Sequence, residues 1–341
     1  MGLEFCVQPP ACTLRDFESE GCKLAEEGDF QGAIRCFRKA VSDTEGQSKA
    51  RIYEMMAQCM MESGSNEEAV VAASRATVCD PQWHGGFHTR ARAQRNIGEL
   101  QGALRSFHTC LEVSQESMRS EDRQGIADEC KEAEHLLQQE WAARINLPQL
   151  CIHQDIGGAS GPGCIVWESG IALAEYLSCH LGVELGGRQA LELGSGTGIV
   201  GITAALLGAH VVLTDRADTL PLLQRNVQVH AEAISRAGGS ADVAELAWGG
   251  PIEDACRGPF SLIVGADLVY TAADVQPLLS TLSALQHGNT ACGLVMAHCS
   301  RRNVVDKSLF DGLASLDRKL CVVAASAIDG RVKVYQESSR V

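Results

Sequence analysis

Positive charge is scarce in this chain. Lysine and arginine number 29 against 43 aspartates and glutamates, a formal net charge of −14 over 341 residues. A general nucleic-acid binder usually presents a basic face, so no nucleic-acid partner is expected, and the plainest use of the acidic surplus is solubility. Long apolar runs are missing as well: no window holds eighteen uninterrupted apolar residues, so no membrane span is expected. The 15 cysteines, from Cys6 to Cys321, contain no C-x-x-C. That removes the footing for zinc frameworks and thioredoxin-like motifs, so no metal site is expected. An odd count spread over a long chain fits free thiols in a reducing compartment, which points to the cytoplasm. The opening MGLEFCVQPP has an early acid and no long apolar core, unlike a secretory signal. Cys6 stands where an N-myristoylation motif needs Ser or Thr. Residues 1–13 are expected to be a flexible N-terminus.

What is present divides into two halves with different patterning. In the first, three segments align: EEGDFQGAIRCFRKAV, ESGSNEEAVVAASRAT and NIGELQGALRSFHTCL. Their glycines, Gly28, Gly64 and Gly98, lie 36 and 34 residues apart. Small residues recur five positions on (Ala33, Ala69, Ala103) and again after seven more (Ala40, Ala76, Cys110), with Phe37, Ala73 and Phe107 between. Each block reads as a helix following a short turn, small where a second helix must approach. The pattern resembles the tetratricopeptide repeat, a helix–turn–helix unit of about 34 residues. Pro81 closes the second block where that family places a proline; the first block lacks it, and RARAQRNIGEL lacks the usual aromatic. Three repeats are expected over residues 14–117. A capping helix and linker should follow over 118–146, where Ile126, Ala127, Cys130, Ala133, Leu136, Leu137 and Trp141 recur at the helical period. The paired methionines Met55, Met56, Met60 and Met61 read as core filling.

From about Leu147 to the end, short β-rich runs alternate with helical ones. Continuous apolar strands separated by helices predict a mostly parallel sheet covered on both faces. Seven strands are expected. The last two, around KLCVVAASAI and VKVYQES, are joined by Asp329-Gly330 as an antiparallel hairpin, and a short hairpin of LCIHQD with GCIVWE precedes the sheet. The first strand, QALELG, runs into Gly194-Ser195-Gly196-Thr197-Gly198. In open α/β sheets ligands bind at the carboxyl ends of the strands, where the strand order reverses. Glycine there lets backbone take positive φ and lets a ligand approach without a Cβ in the way. The spacing is G-x-G-x-G, not the G-x-G-x-x-G of nicotinamide enzymes. An acid, Asp215, ends the second strand, where it can accept from ribose hydroxyls.

From about Ile152 to Glu337 the chain resembles the seven-β-strand protein-lysine methyltransferases of methyltransferase family 16, class I enzymes that use S-adenosylmethionine. The resemblance is carried by IVWESGIALAEYL, LELGSGTGIVGITAALLGAHVVLTD, LLQRNV, LAWG and LIVGADLVY. It implies a Rossmann-like α/β methyltransferase domain over 147–341, preceded by the all-α repeat domain, with S-adenosylmethionine as cofactor. Trp167 would line the cofactor site. Gly194, Ser195 and Gly196 would pass under the cofactor and Asp215 would hold its ribose. Trp248 would flank the adenine, and Ala266 would touch the cofactor backbone. Glu192 would either orient the loop through backbone NH groups or reach the cofactor's amino group through water. As plain structure, the two tryptophans would instead be core packing.

The resemblance also implies the acceptor side. In ADLVY, Asp267 would hold an incoming lysine ammonium and Tyr270 would wall its channel and offer a hydroxyl; as plain structure, Asp267 would cap the next helix. Asparagine-proline-proline-tyrosine sequences, usual for adenine or glutamine acceptors, are absent here. Weaker candidates follow the fifth strand: His298 and Cys299 in MAHCS, and Arg301 and Arg302 in SRRN. The expected function is protein-lysine N-methylation, with the repeats recruiting a protein substrate or partner. Some tetratricopeptide domains hold a chaperone's C-terminal carboxylate. Here Cys22, Gly85 and Thr89 occupy the places of that clamp's polar and basic residues, so a different peptide or protein partner is expected. Alternatives are another acceptor, such as protein histidine or a small amine, and a non-catalytic scaffold that keeps the fold.

Overall fold

A computed structural model describes residues 14–114, 118–156, 161–286, 292–301 and 303–338. The chain divides into two compact units, one up to Leu137 and one from Gln138.

The first unit is built from helix pairs. They are α1 (Leu14–Glu26) with α2 (Phe30–Ala40), α3 (Gly46–Glu62) with α4 (Asn66–Cys79), and α5 (His84–Asn96) with α6 (Leu100–Val113); α7 (Ser120–Ile145) follows and contains the division between the units. The three glycines found by alignment make one turn three times. Gly28, Gly64 and Gly98 sit at φ +83°, +79° and +80°. After each, the next amide donates five residues back: Asp29 N to Leu24 O, Ser65 N to Met60 O and Glu99 N to Gln94 O, at 2.8–2.9 Å. This is the Schellman closure of a helix, and its left-handed residue favours glycine. Ala33, Ala69 and Ala103 are wholly buried, as are Ala73 and Phe107, so the small positions mark where helices touch. Met56 and Met60 are buried in the same core, and Met55 and Met61 pack against it. Thr89 is buried and donates to the Glu54 carboxylate at 2.6 Å.

In the second unit α8 (Glu168–Tyr176) continues through a π turn (Leu177–Leu181) into the short α9 (Gly182–Leu185). Then β1 (Gln189–Glu192), α10 (Ile199–Leu206), β2 (His210–Asp215), α11 (Leu220–Arg236), β3 (Ser240–Glu245) and β4 (Leu262–Ala266) alternate. They are followed by α12 (Ala272–Gln286), β5 (Gly293–Cys299), α13 (Asn303–Ser315), β6 (Leu320–Ala325) and β7 (Val332–Glu337). The sheet order is β3-β2-β1-β4-β5-β7-β6. The first five strands are parallel, while β7 runs antiparallel to both neighbours. Strand order reverses between β1 and β4, which opens a crevice at their carboxyl ends. Among the described residues no helix is long and apolar enough to cross a membrane.

Two sequence expectations are corrected. No strand forms in LCIHQD or GCIVWE; one backbone bond, Asp155 N to Cys164 O, joins them. Side chains satisfy that backbone instead of a ladder, as buried polar groups require. Asn226 takes His153 N and donates to His153 O, His230 takes Cys151 N, and Gln138 does both for Ile152. The final hairpin is joined by residues 326–331 rather than by Asp329-Gly330 alone. The Ser326 hydroxyl accepts from Ile328 N and Asp329 N and so organises that longer loop.

Candidate functional site

The bend after β1 is forced by its surroundings. Gly194, Gly196 and Gly198 all have positive φ. At Gly196 (φ +55°) a Cβ would lie 2.5 Å from the Gly163 carbonyl oxygen, so a second stretch of backbone closes over the loop. The loop is pinned from β2: Ser195 N donates to Thr214 O at 2.9 Å, and the Thr214 hydroxyl donates to Glu192 O at 2.6 Å. Asp215 completes the arrangement. Its carboxylate accepts from Gly196 N and Arg216 N, both at 2.7 Å. An ionised carboxylate offers about four lone-pair positions, so acceptor capacity is left over. Burial raises the Asp215 pKa against the lowering effect of those two amides.

Glu192 lies behind the loop, almost fully buried, and accepts from Gly201 N at 3.0 Å. Burial pushes its pKa up to about 8. The Gly201 NH belongs to the first turn of α10, not to the Gly194–Gly198 loop.

These groups line a cavity of about 580 Å³. The ten residues that the resemblance assigns to the cofactor and acceptor sides are all on its wall: Trp167, Glu192, Gly194, Ser195, Gly196, Asp215, Trp248, Ala266, Asp267 and Tyr270. Trp167 precedes the first turn of α8 and is 37% exposed, so it is not core packing. Trp248 lies three residues beyond β3 and packs against the core with one edge near Gly194. Apolar wall is added by Leu246, Leu268 and Pro277, none of which the sequence reading named.

The far end is built at the tips of β4 and β5. Asp267 takes φ +48°, a left-handed kink that Asp tolerates better than most residues. Its amide donates to Ala297 O at 2.9 Å, and its side chain is turned inward, 2% exposed. One carboxylate oxygen accepts from Cys299 N at 2.9 Å; the other pairs with the Arg301 guanidinium at 2.8 Å. Asp267 does not cap α12. That is done by Asp274, which accepts from Thr271 N and Oγ1 and from Tyr270 N, a capping box legible as T-x-x-D. Tyr270, 42% exposed, is thereby held at the cavity mouth, and burial of its hydroxyl with the Asp267 charge pushes its pKa up to about 12.

His298 and Cys299 are buried and do not line the cavity. His298 shares a hydrogen bond with Asp306 at 2.9 Å and meets the Phe310 ring edge-on. Arg302 lies outside the described residues. Sequence reasoning left Arg301 as an exposed arginine; its partner is 34 positions away, and no local signal marks the pair.

A seven-stranded sheet of this order, with its one reversed strand and a glycine bend answered by an acid on β2, defines the nucleoside-dependent α/β methyltransferase class. The lysine methyltransferase family matches residues 145–315, half of the chain. The chain belongs to that family. It is 39% identical over 162 residues to the mouse (Mus musculus) protein N-lysine methyltransferase METTL21A, a match covering 48% of this chain and 70% of that protein. The zebrafish (Danio rerio) METTL21A is also 39% identical, over 42% of this chain and 62% of that one. Mouse EEF1A lysine methyltransferase 3 is 37% identical over 40% of this chain and 56% of its own length. The helical unit aligns with the Sgt2 TPR domain of Aspergillus fumigatus at 18% identity and a TM-score of 0.34, over 38% of this chain and 83% of that one.

Proposed function

We propose that this chain transfers a methyl group from S-adenosylmethionine to the side-chain nitrogen of a lysine in a protein substrate. One observation carries the reading: ten residues from five separate stretches converge on a single cavity at the carboxyl ends of β1, β2 and β4. The cavity suits a cationic nucleoside. The bend at Gly194 and Gly196 leaves a cradle that side chains would fill, Trp248 and Pro277 give flat apolar wall, and Asp215 and Glu192 supply carboxyl groups. Gly194, Ser195 and Gly196 would lie beneath the nucleoside, Asp215 would accept from its ribose, and Trp248 would flank its base. Trp167, Glu192 and Ala266 would line its amino-acid end.

When bound, S-adenosylmethionine supplies a methyl group on a sulfonium whose sulfur departs neutral. The protein's part is then alignment, and positioning of this kind supplies roughly 7–11 kcal/mol of a barrier. Asp267 and Tyr270 stand at the acceptor end. A lysine must shed its proton before attacking, and apolar wall favours the neutral amine. Asp267 acts by positioning, with water taking the proton. Tyr270, its pKa pushed up to about 12, stays a neutral phenol that can donate a hydrogen bond.

We take the repeats over 14–117, the capping helix and linker over 118–146 and the catalytic domain over 147–341; the N-terminal 1–13 lie outside the described residues. The repeats recruit substrate or a partner peptide, because a docking module joined to a catalyst raises the local substrate concentration. We place the protein in the cytoplasm, a reading supported by the many cysteines without C-x-x-C. Isothermal titration separates the cofactors: S-adenosylmethionine binds and NAD does not. Asp267→Ala abolishes transfer to protein in a lysate supplied with radiolabelled cofactor while leaving cofactor affinity nearly intact. Absence of affinity for S-adenosylmethionine and its demethylated product defeats the proposal.

A further inference from the structure

The acceptor end already holds a cation. Asp267 meets the cavity at the tip of β4, and both its oxygens are engaged, one by Cys299 N, with His298 Nδ1 3.9 Å away, and one by Arg301; Asp274, also on the wall, is turned to Tyr270 N and Thr271 N. The Arg301 guanidinium carbon also lies 5.6 Å from the centre of the Trp167 ring. A carboxylate on one side and an aromatic face on the other make a cage for a positive group. Arg301 enters it from the loop after β5, and its side chain is 38% exposed on the other side, so it can withdraw without unpacking the core.

We propose that Arg301 is an intramolecular stand-in for the substrate's ammonium group: it occupies the Asp267–Trp167 cage in the free protein and is exchanged for the lysine on binding. The inference rests on reading Asp267 as the acceptor end. Three facts favour exchange over a fixed structural pair. Asp267 is 2% exposed, and the oxygen not held by Cys299 N is already taken by Arg301. Its second oxygen is held by a backbone amide that does not move with Arg301. Arg301 ends in a mobile-length side chain on a connecting loop rather than on a helix or strand. The exchange also answers a specificity problem. An empty, buried carboxylate would hold any small cation, whereas a tethered guanidinium admits only an acceptor that brings enough additional contact to displace it.

The test uses the full chain saturated with S-adenosylhomocysteine and titrated with n-butylammonium chloride, a lysine side-chain analogue, at matched ionic strength near neutral pH. Affinity for a site open only part of the time is reduced by the open fraction, so removing the stand-in tightens binding. Arg301→Gln is expected to bind the probe about 10-fold more tightly than the unaltered chain, the gain expected if the cage is closed about nine-tenths of the time. Arg301→Lys retains a tethered cation and binds it like the unaltered chain. Thermal denaturation gives a second readout. Arg301→Gln leaves a buried carboxylate without its partner and melts lower, and n-butylammonium raises its midpoint further than that of the unaltered chain at the same concentration. Unchanged or weaker probe binding in Arg301→Gln, or no larger rise of its midpoint, overturns the proposal. Asp267→Asn tests the underlying reading separately: if it binds the probe as well as the unaltered chain does, Asp267 is not the acceptor carboxylate, whatever Arg301 does.

Discussion

Replacing Glu192 with glutamine isolates one buried proton. The carboxyl group is almost completely enclosed at the end of β1 and accepts from the Gly201 amide at 3.0 Å. Burial penalises the charged form and moves the pKa from an ordinary 4.5 to about 8. The folded chain therefore holds a proton that the unfolded chain has released throughout that interval. With fewer protons bound in the unfolded state, stability falls as pH rises. The slope reaches about 1.4 kcal/mol per pH unit, and the whole window is worth on the order of 5 kcal/mol. Below the unfolded value both states are protonated and the effect vanishes. Glutamine keeps the volume and an acceptor for Gly201 N but cannot titrate. Urea denaturation without cofactor, followed by tryptophan emission across this pH range, should give a midpoint that declines for the unaltered chain relative to Glu192→Gln. The two should be closest at the acidic end. Parallel curves would refute the argument, because the proton would then not be held at Glu192.

Gly196→Ala and Gly98→Ala make a matched pair. Both positions have positive φ, which disfavours alanine by roughly 1–2 kcal/mol, but only at Gly196 does the new Cβ meet backbone, at 2.5 Å. Gly98→Ala should lower the melting temperature modestly and leave S-adenosylmethionine affinity unchanged in calorimetry. Gly196→Ala should abolish measurable affinity, and equal effects would contradict the close approach of Gly163. Asn226 is fully buried and ties His153 N, His153 O and Thr197 O to α11. Asn226→Ala strands three groups that cost about 1–3 kcal/mol each when unsatisfied, so a loss of several kcal/mol in urea denaturation is expected, and an unshifted midpoint would rule it out.

Much of the site was legible because its chemistry is local. The G-S-G-T-G run places glycines where left-handed backbone is needed, and Asp215 follows β2 directly; chain order alone puts both at the carboxyl edge of a parallel sheet. The repeat turns were legible for the same reason, since a Schellman closure needs a glycine at one position. The segment around His153 was misread as a hairpin because its apolar alternation imitates strands. Its backbone partners, Asn226 and His230, lie more than seventy residues away. Leu268 and Pro277 gave no signal as cavity wall, since apolar residues near strand ends are equally at home in a core. By position alone Asp267 reads as a cap for the next helix, but the β4 tip turns it inward and Asp274, in T-x-x-D, does the capping.

By itself the sequence determined the two-part organisation, the glycine bend, the acid that answers it and the D-x-x-Y run after the fourth strand. Each of these depends on conformations and spacings within a few residues of chain. The tertiary structure alone decided that Asp267 is already paired. Its two partners sit at the end of β5 and just beyond it, and two strands adjacent in the sheet but separated by a helix in the chain bring a carboxylate and a guanidinium to 2.8 Å. Whether a charge is free or neutralised depends on distance through space, which no local pattern records.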